Sequence, residues 1–124
     1  MKIGTDITEV KRIKAAIERT GEAFIRRVYT DAEAAYCERG SRRRYESYAG
    51  RFAAKEAYSK AAGTGIGADA SLNEIEIINA DNGRPFIRLY GSALKYFEEN
   101  FPGQSIDVSI SHSASIAIAT VIIG

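Results

Sequence analysis

The chain has 124 residues, 45% hydrophobic and 27% charged, with 17 Lys and Arg against 16 Asp and Glu. That composition excludes a disordered, fibrous or membrane-spanning polypeptide and points to one soluble domain over residues 1–124, long enough to bury a core. A net charge of +1 names no partner, so any electrostatic recognition must come from local patches. The single cysteine, Cys37, has no internal partner, and the amino terminus lacks the long apolar run of a secretion signal. The expected location is cytoplasmic.

Residues 2–7 read as a short strand. Thr8 is placed to cap a helix whose apolar face is Val10, Ile13 and Ile17 and which ends at Gly21. Phe24, Ile25 and Val28 mark a second short helix. Thr30 with Glu33 forms a capping box that opens a helix through Ala34, Tyr36 and Cys37 to Gly40. The longest helix is predicted from Arg42 to Ala62, rich in alanine, with Tyr45, Tyr48, Ala49, Phe52, Glu56 and Ser59 at helical spacing. Gly50 inside it signals close packing, and Gly63 stops it.

From Leu72 the period changes to two. Ile75 and Ile77 alternate with Glu74 and Glu76, Asp81-Asn82-Gly83 turns the chain, and Phe86, Ile87, Leu89 and Tyr90 form the returning strand. Ser92 is expected to cap a short helix through Leu94, Tyr96 and Phe97, closed by Pro102-Gly103. A final hairpin pairs residues 105–111 with 115–123. Its second strand carries Ile116, Ile118 and Ile122 on one face and Ala117, Ala119, Val121 and Ile123 on the other. A strand apolar on both faces is buried on both. Helices cover one face, and a subunit interface is the natural cover for the second. The expected fold is therefore α+β: a small, mostly antiparallel sheet with helices packed over one face.

Two segments carry candidate chemistry. In the helix through Arg51 and Lys60, the side chains of Phe52, Glu56 and Lys60 stack at four-residue steps. Taken alone, Glu56 and Lys60 make an ordinary surface ion pair. Asp6, in Gly4-Thr5-Asp6, either helps cap the helix that follows or offers a cleft a second carboxylate beside Glu56. Two carboxylates, completed by water and substrate phosphates, suit magnesium better than a closed protein cage does. His112, the one histidine, lacks the companions of an imidazole metal site. The glycines of residues 63–67 follow a helix instead of preceding one, so they do not form a phosphate loop of the usual kind, and Gly63 is first of all a C-cap.

Taken together and in order, these residues resemble the holo-(acyl-carrier-protein) synthase family. Its pattern is an early Gly-X-Asp followed by an aromatic-X-X-Lys-Glu-X-X-X-Lys helix, here Gly4-Thr5-Asp6 and Phe52-Ala53-Ala54-Lys55-Glu56-Ala57-Tyr58-Ser59-Lys60. The likeness extends to Gly63-Thr64-Gly65-Ile66-Gly67, to Asn82-Gly83-Arg84-Pro85 and to Val108-Ser109-Ile110-Ser111-His112.

The resemblance implies a homotrimer with active sites between neighbouring subunits. It implies transfer of 4′-phosphopantetheine from coenzyme A to a serine of acyl-carrier protein, in fatty-acid biosynthesis. Asp6 and Glu56 would hold Mg2+, and Asp6, Glu56 and Lys60 would form the catalytic set. Arg51, Lys60, Gly63, Gly65, Pro85 and His112 would contact coenzyme A, with Lys60 and Arg51 beside its phosphates. Arg12, with Arg26 and Arg27, would grip the acidic carrier. A metal at the pyrophosphate would stabilise charge on the departing 3′,5′-ADP. The acceptor of the serine proton is open between metal-bound water and a carboxylate such as Glu56.

A rival of another class is a non-enzymatic module that grips nucleotide or RNA through Arg42-Arg43-Arg44 and nearby tyrosines. The near-zero net charge and the lack of an RNA-binding signature weigh against it, so neither nucleic acid nor membrane is an expected partner. A nearer alternative is the same transfer serving polyketide or peptide carrier proteins.

Overall fold

A computed structural model of the chain describes residues 1–64 and 71–124. Strand β1 (Lys2–Glu9) leads into helices α1 (Val10–Thr20), α2 (Glu22–Val28), α3 (Asp31–Glu38) and α4 (Arg44–Ala62). Strands β2 (Ile75–Asn79) and β3 (Pro85–Leu89), helix α5 (Gly91–Asn100) and strands β4 (Ile106–His112) and β5 (Ile116–Ile123) follow. Among the described residues the pairing is wholly antiparallel. It divides into two sheets, β1-β5-β4 and β2-β3, where the sequence suggests one.

Alanine explains how α4 lies on the larger sheet. Ala53, Ala54, Ala57 and Ala61 are buried, and these short side chains let the helix axis approach the strands closely. From the sheet, Ala117, Ala119, Val121 and Ile123 of β5 meet the helix, as do Gly4 and Thr8 of β1. The packing requirement read from Gly50 is also present: a methyl group there would stand 3.2 Å from Ile110 Cγ2. Gly63 ends α4 with φ 78°, the left-handed conformation glycine adopts at no steric cost.

Several caps and ends differ from expectation. Thr8 belongs to β1, and its hydroxyl donates to Asp6 Oδ2 at 2.7 Å instead of capping α1, which starts without a side-chain cap. Ser92 lies inside α5, whose free amides are met by Glu74. That carboxylate accepts from the Ser92 and Ala93 N–H groups and from Ser92 Oγ. Arg42 and Arg43 lie in a 3-10 turn (Ser41–Arg43), so α4 begins at Arg44. The Thr30–Glu33 capping box is present.

Strict alternation also fails in β2, where Glu76 is buried between Ile75 and Ile77. Its carboxylate accepts from Thr30 Oγ1 at 2.6 Å and from Tyr90 OH at 2.7 Å, which satisfies it in the interior. The fully buried Lys55 anchors the same region. It donates to Glu33 Oε1 at 2.7 Å and to the Leu72 and Ile75 carbonyls, while Glu33 Oε2 accepts from Ile77 N–H. Burial lowers the Lys55 pKa, and the Glu33 carboxylate acts to raise it again.

In β5 only one face is buried within the chain. The opposite face joins Ile116, Ile118 and Ile122 to Ile3 and Ile7 of β1, with Ile3 opposite Ile122 and Ile7 opposite Ile118. Ile3 and Ile7 are 61% and 62% exposed, and Ile116 and Ile118 37% each, so this face is largely apolar, crossed only by the Thr5–Thr120 pair.

Candidate active site

Gly4 sets the position of the first cluster. Alternation along β1 turns Gly4, Asp6 and Thr8 toward α4 and leaves Ile3, Thr5 and Ile7 outward. The Gly4 backbone rests on the backbone of α4 at Ala57 and Ala61, with no room for a side chain. Glu56 and Lys60 each stand one residue before one of those contacts. Asp6, two residues past Gly4 on the same face of the strand, is thereby brought against the stretch of helix that carries them. Ser59, also in this stretch, turns inward, and its hydroxyl donates to the Lys55 carbonyl at 3.1 Å.

Lys60 pairs with Asp6 and not, among the described residues, with Glu56. Its Nζ donates to Asp6 Oδ1 at 3.2 Å and to the Thr5 carbonyl at 3.0 Å. Glu56 is half-buried. Burial pushes its pKa above the ordinary carboxylate value, Asp6 pushes it further, and Lys60 and Arg12 pull it back. Asp6, Glu56, Lys60 and Arg12 therefore share one electrostatic neighbourhood, formed by β1, α4 and α1. Arg12, Arg26 and Arg27 are exposed, and Arg26 pairs with Glu22 at 3.2 Å.

A second cluster lies elsewhere. Arg51, Pro85 and His112 line one pocket of about 150 Å³ together with Tyr36, Asn79 and Gly50. Arg51 stacks 4.0 Å over the Tyr36 ring, and its Nη2 donates to Asn79 Oδ1 at 2.6 Å. His112 Nδ1 lies 3.0 Å from Glu46 Oε1. Tyr36, Asn79 and Glu46 are not legible as site residues in the sequence, because a tyrosine, an asparagine and a helix glutamate give no pattern until tertiary contacts join them.

The structure does not bring Arg51 and Lys60 together within one chain. Nine residues separate them on α4, about 13 Å along the axis and about half a turn around it. Gly63 sits at the far end of the helix, and Gly65 lies outside the described residues. Arg42 and Arg43 are exposed at the opposite end, where Arg44 stacks 4.8 Å over Tyr45.

Residues 2–120 match the family model described as the 4'-phosphopantetheinyl transferase superfamily. The chain is 50% identical over 123 residues to a holo-[acyl-carrier-protein] synthase of Ruminiclostridium cellulolyticum, covering 99% of this chain and 91% of that protein. Two solved structures share its fold over nearly their whole length. Helicobacter pylori holo-[acyl-carrier-protein] synthase in complex with coenzyme A superposes with TM-score 0.84 at 35% identity, over 98% of this chain and 99% of that one. The Bacillus anthracis holo-(acyl-carrier-protein) synthase in complex with CoA (3',5'-ADP) gives 0.79 at 39% identity, over 98% and 94%. A Gly-X-Asp strand seated on a Lys-Glu helix, within a match that spans almost every residue, places the chain in the holo-[acyl-carrier-protein] synthase family of 4'-phosphopantetheinyl transferases.

Proposed function

We propose that the chain transfers the 4′-phosphopantetheine group from coenzyme A to a serine of apo-acyl-carrier protein and releases 3′,5′-ADP. The observation that carries this reading is the meeting of Asp6 from β1 with Glu56 and Lys60 from α4.

The donor set fits magnesium. Burial and then the neighbouring Asp6 raise the pKa of Glu56, and a divalent cation would favour its charged form. Among the described residues no third Asp, Glu, His or Cys joins them, which suits an ion that keeps water and substrate phosphates in its shell. Held there, magnesium would supply positive charge that stabilises the pyrophosphate as the leaving group departs. Asp6 and Glu56 would hold it. Lys60, 55% exposed and tethered to the Thr5 carbonyl, presents a further positive charge to the same phosphates. The serine oxygen attacks phosphorus, the phosphoanhydride P–O bond breaks so that 3′,5′-ADP departs with the electron pair, and the serine proton passes to water or to a carboxylate such as Glu56.

The nucleotide end of coenzyme A takes the pocket of Arg51, Pro85 and His112. Because that pocket and the Asp6–Glu56 cluster sit on different sides of α4, a shared site is completed by a neighbouring subunit. The patch of Ile3, Ile7, Ile116, Ile118 and Ile122 supports such an assembly, here a homotrimer. Arg12, on the same side as Glu56, receives the acidic carrier, with Arg26 and Arg27 extending the basic surface. No helix among the described residues is long and apolar enough to cross a membrane, and the lone buried Cys37 suits the cytoplasm.

Mass spectrometry of an apo carrier incubated with the chain, coenzyme A and magnesium tests the reading. The wild type adds phosphopantetheine, while Asp6→Asn and Glu56→Gln add none although their circular dichroism is unchanged. Full transfer by either folded variant overturns the assignment.

A further inference from the structure

Arg51 is a buried cation held by neutral groups. Only 6% of the residue is exposed, and its Nε is buried with no partner. Buried arginines normally meet a carboxylate, yet none of the salt bridges among the described residues involves Arg51. Instead the Tyr36 ring lies under the guanidinium and the Asn79 amide oxygen takes one N–H. Asn79 also reaches the β2–β3 turn, donating from Nδ2 to the Gly83 carbonyl at 3.0 Å. One amide thus ties Arg51 to the turn that leads into Pro85, and Arg51 and Pro85 line the same pocket.

We propose that Tyr36 and Asn79 are positioning residues that fix Arg51 without neutralising it, so that its whole charge serves the pocket it lines and meets an anionic oxygen of the nucleotide. The inference rests on the functional reading above. A ring face and a neutral amide hold a guanidinium by cation–π attraction and one hydrogen bond. A carboxylate in the place of the amide would hold it equally well but would compete with the phosphate for the same fork. The amide at position 79 is therefore a determinant of affinity for the anion.

The test is Asn79→Asp, which keeps an oxygen acceptor for Arg51 while adding a negative charge. Titration calorimetry with 3′,5′-ADP is set beside steady-state transfer. The dissociation constant for 3′,5′-ADP and the KM for coenzyme A rise about tenfold or more, while kcat at saturating coenzyme A stays within about twofold. Tyr36→Ala raises KM in the same way, and Tyr36→Phe, which keeps the ring, restores it. Tyr36 is 40% exposed, so its variants keep the fold and decide the matter even where Asn79→Asp does not fold. Unchanged affinity in Asn79→Asp and Tyr36→Ala overturns the proposal. So does a loss of kcat that tracks the melting temperature with KM unmoved, which is the signature of a purely structural role. Failure of the functional reading is read separately, on the wild type, as no transfer to the carrier at all.

Discussion

Gly4 and Ala57 meet backbone to backbone. A methyl group at Gly4 would stand 2.0 Å from the Ala57 carbonyl oxygen and 2.6 Å from the Ala61 nitrogen, and neither helix atom can swing aside. Gly4→Ala must therefore push β1 away from α4 and carry Asp6 with it. The expected cost is about 1–3 kcal/mol of stability, measured by urea denaturation, together with loss of transfer even under conditions where the variant is fully folded.

Glu56→Gln separates function from stability. A carboxylate whose pKa is raised in the folded state makes folding less favourable as pH climbs above its ordinary 4.5. Without metal, the Gln variant melts above the wild type at pH 7 by about 1–3 °C, a modest gain because the group is partly solvated. The difference vanishes below 4.5, where the wild-type carboxyl is protonated in both states. Magnesium then raises the melting temperature of the wild type and not that of the variant. Thermal melts with and without chelator check all three outcomes.

Lys55→Met leaves Glu33 as an uncompensated buried charge beside the Leu72 and Ile75 carbonyls, which lose their donor. The loss is about 3–5 kcal/mol. Combining it with Glu33→Gln costs less than the sum of the single changes, because the second removes the charge the first exposes. Denaturation of the four proteins measures that coupling.

The two faces of β5 respond oppositely to a new charge. Ile118→Asp, on the open face, dissociates the assembly and abolishes transfer while circular dichroism stays native. Ala119→Asp, 1% exposed and against α4, prevents folding. Light scattering beside the transfer assay distinguishes them. A folded, monomeric, fully active Ile118→Asp would remove the basis for a site shared between subunits.

Local signals make the helices legible, since the Thr30–Glu33 box, the left-handed Gly63 and the apolar stripe of α1 act over a few residues. Asp6, Glu56 and Lys60 are legible as a set only through the family pattern, because nothing local brings a strand end to a helix more than forty residues later. The caps that fail show the same limit. Ser92 looks like an N-cap, but a closer competitor, Glu74, arrives from 18 residues upstream. Lys55 stands inside the motif beside Glu56, yet its partner Glu33 is 22 residues away and its burial is decided by tertiary packing alone.

The order of the strands has a consequence for when the enzyme comes into being. β1 lies at the edge of a sheet whose next strand is β5, so Asp6 is registered against Ala119, and the hydroxyls of Thr5 and Thr120, 3.4 Å apart, are separated by 115 positions of chain. A nascent polypeptide that already holds Asp6 and Glu56 still has β1 unpaired until that distant strand leaves the ribosome. Closing so long a loop is slow compared with winding α4. The strand that carries Asp6 therefore takes its place only with the last pairing, after every helix has been synthesised.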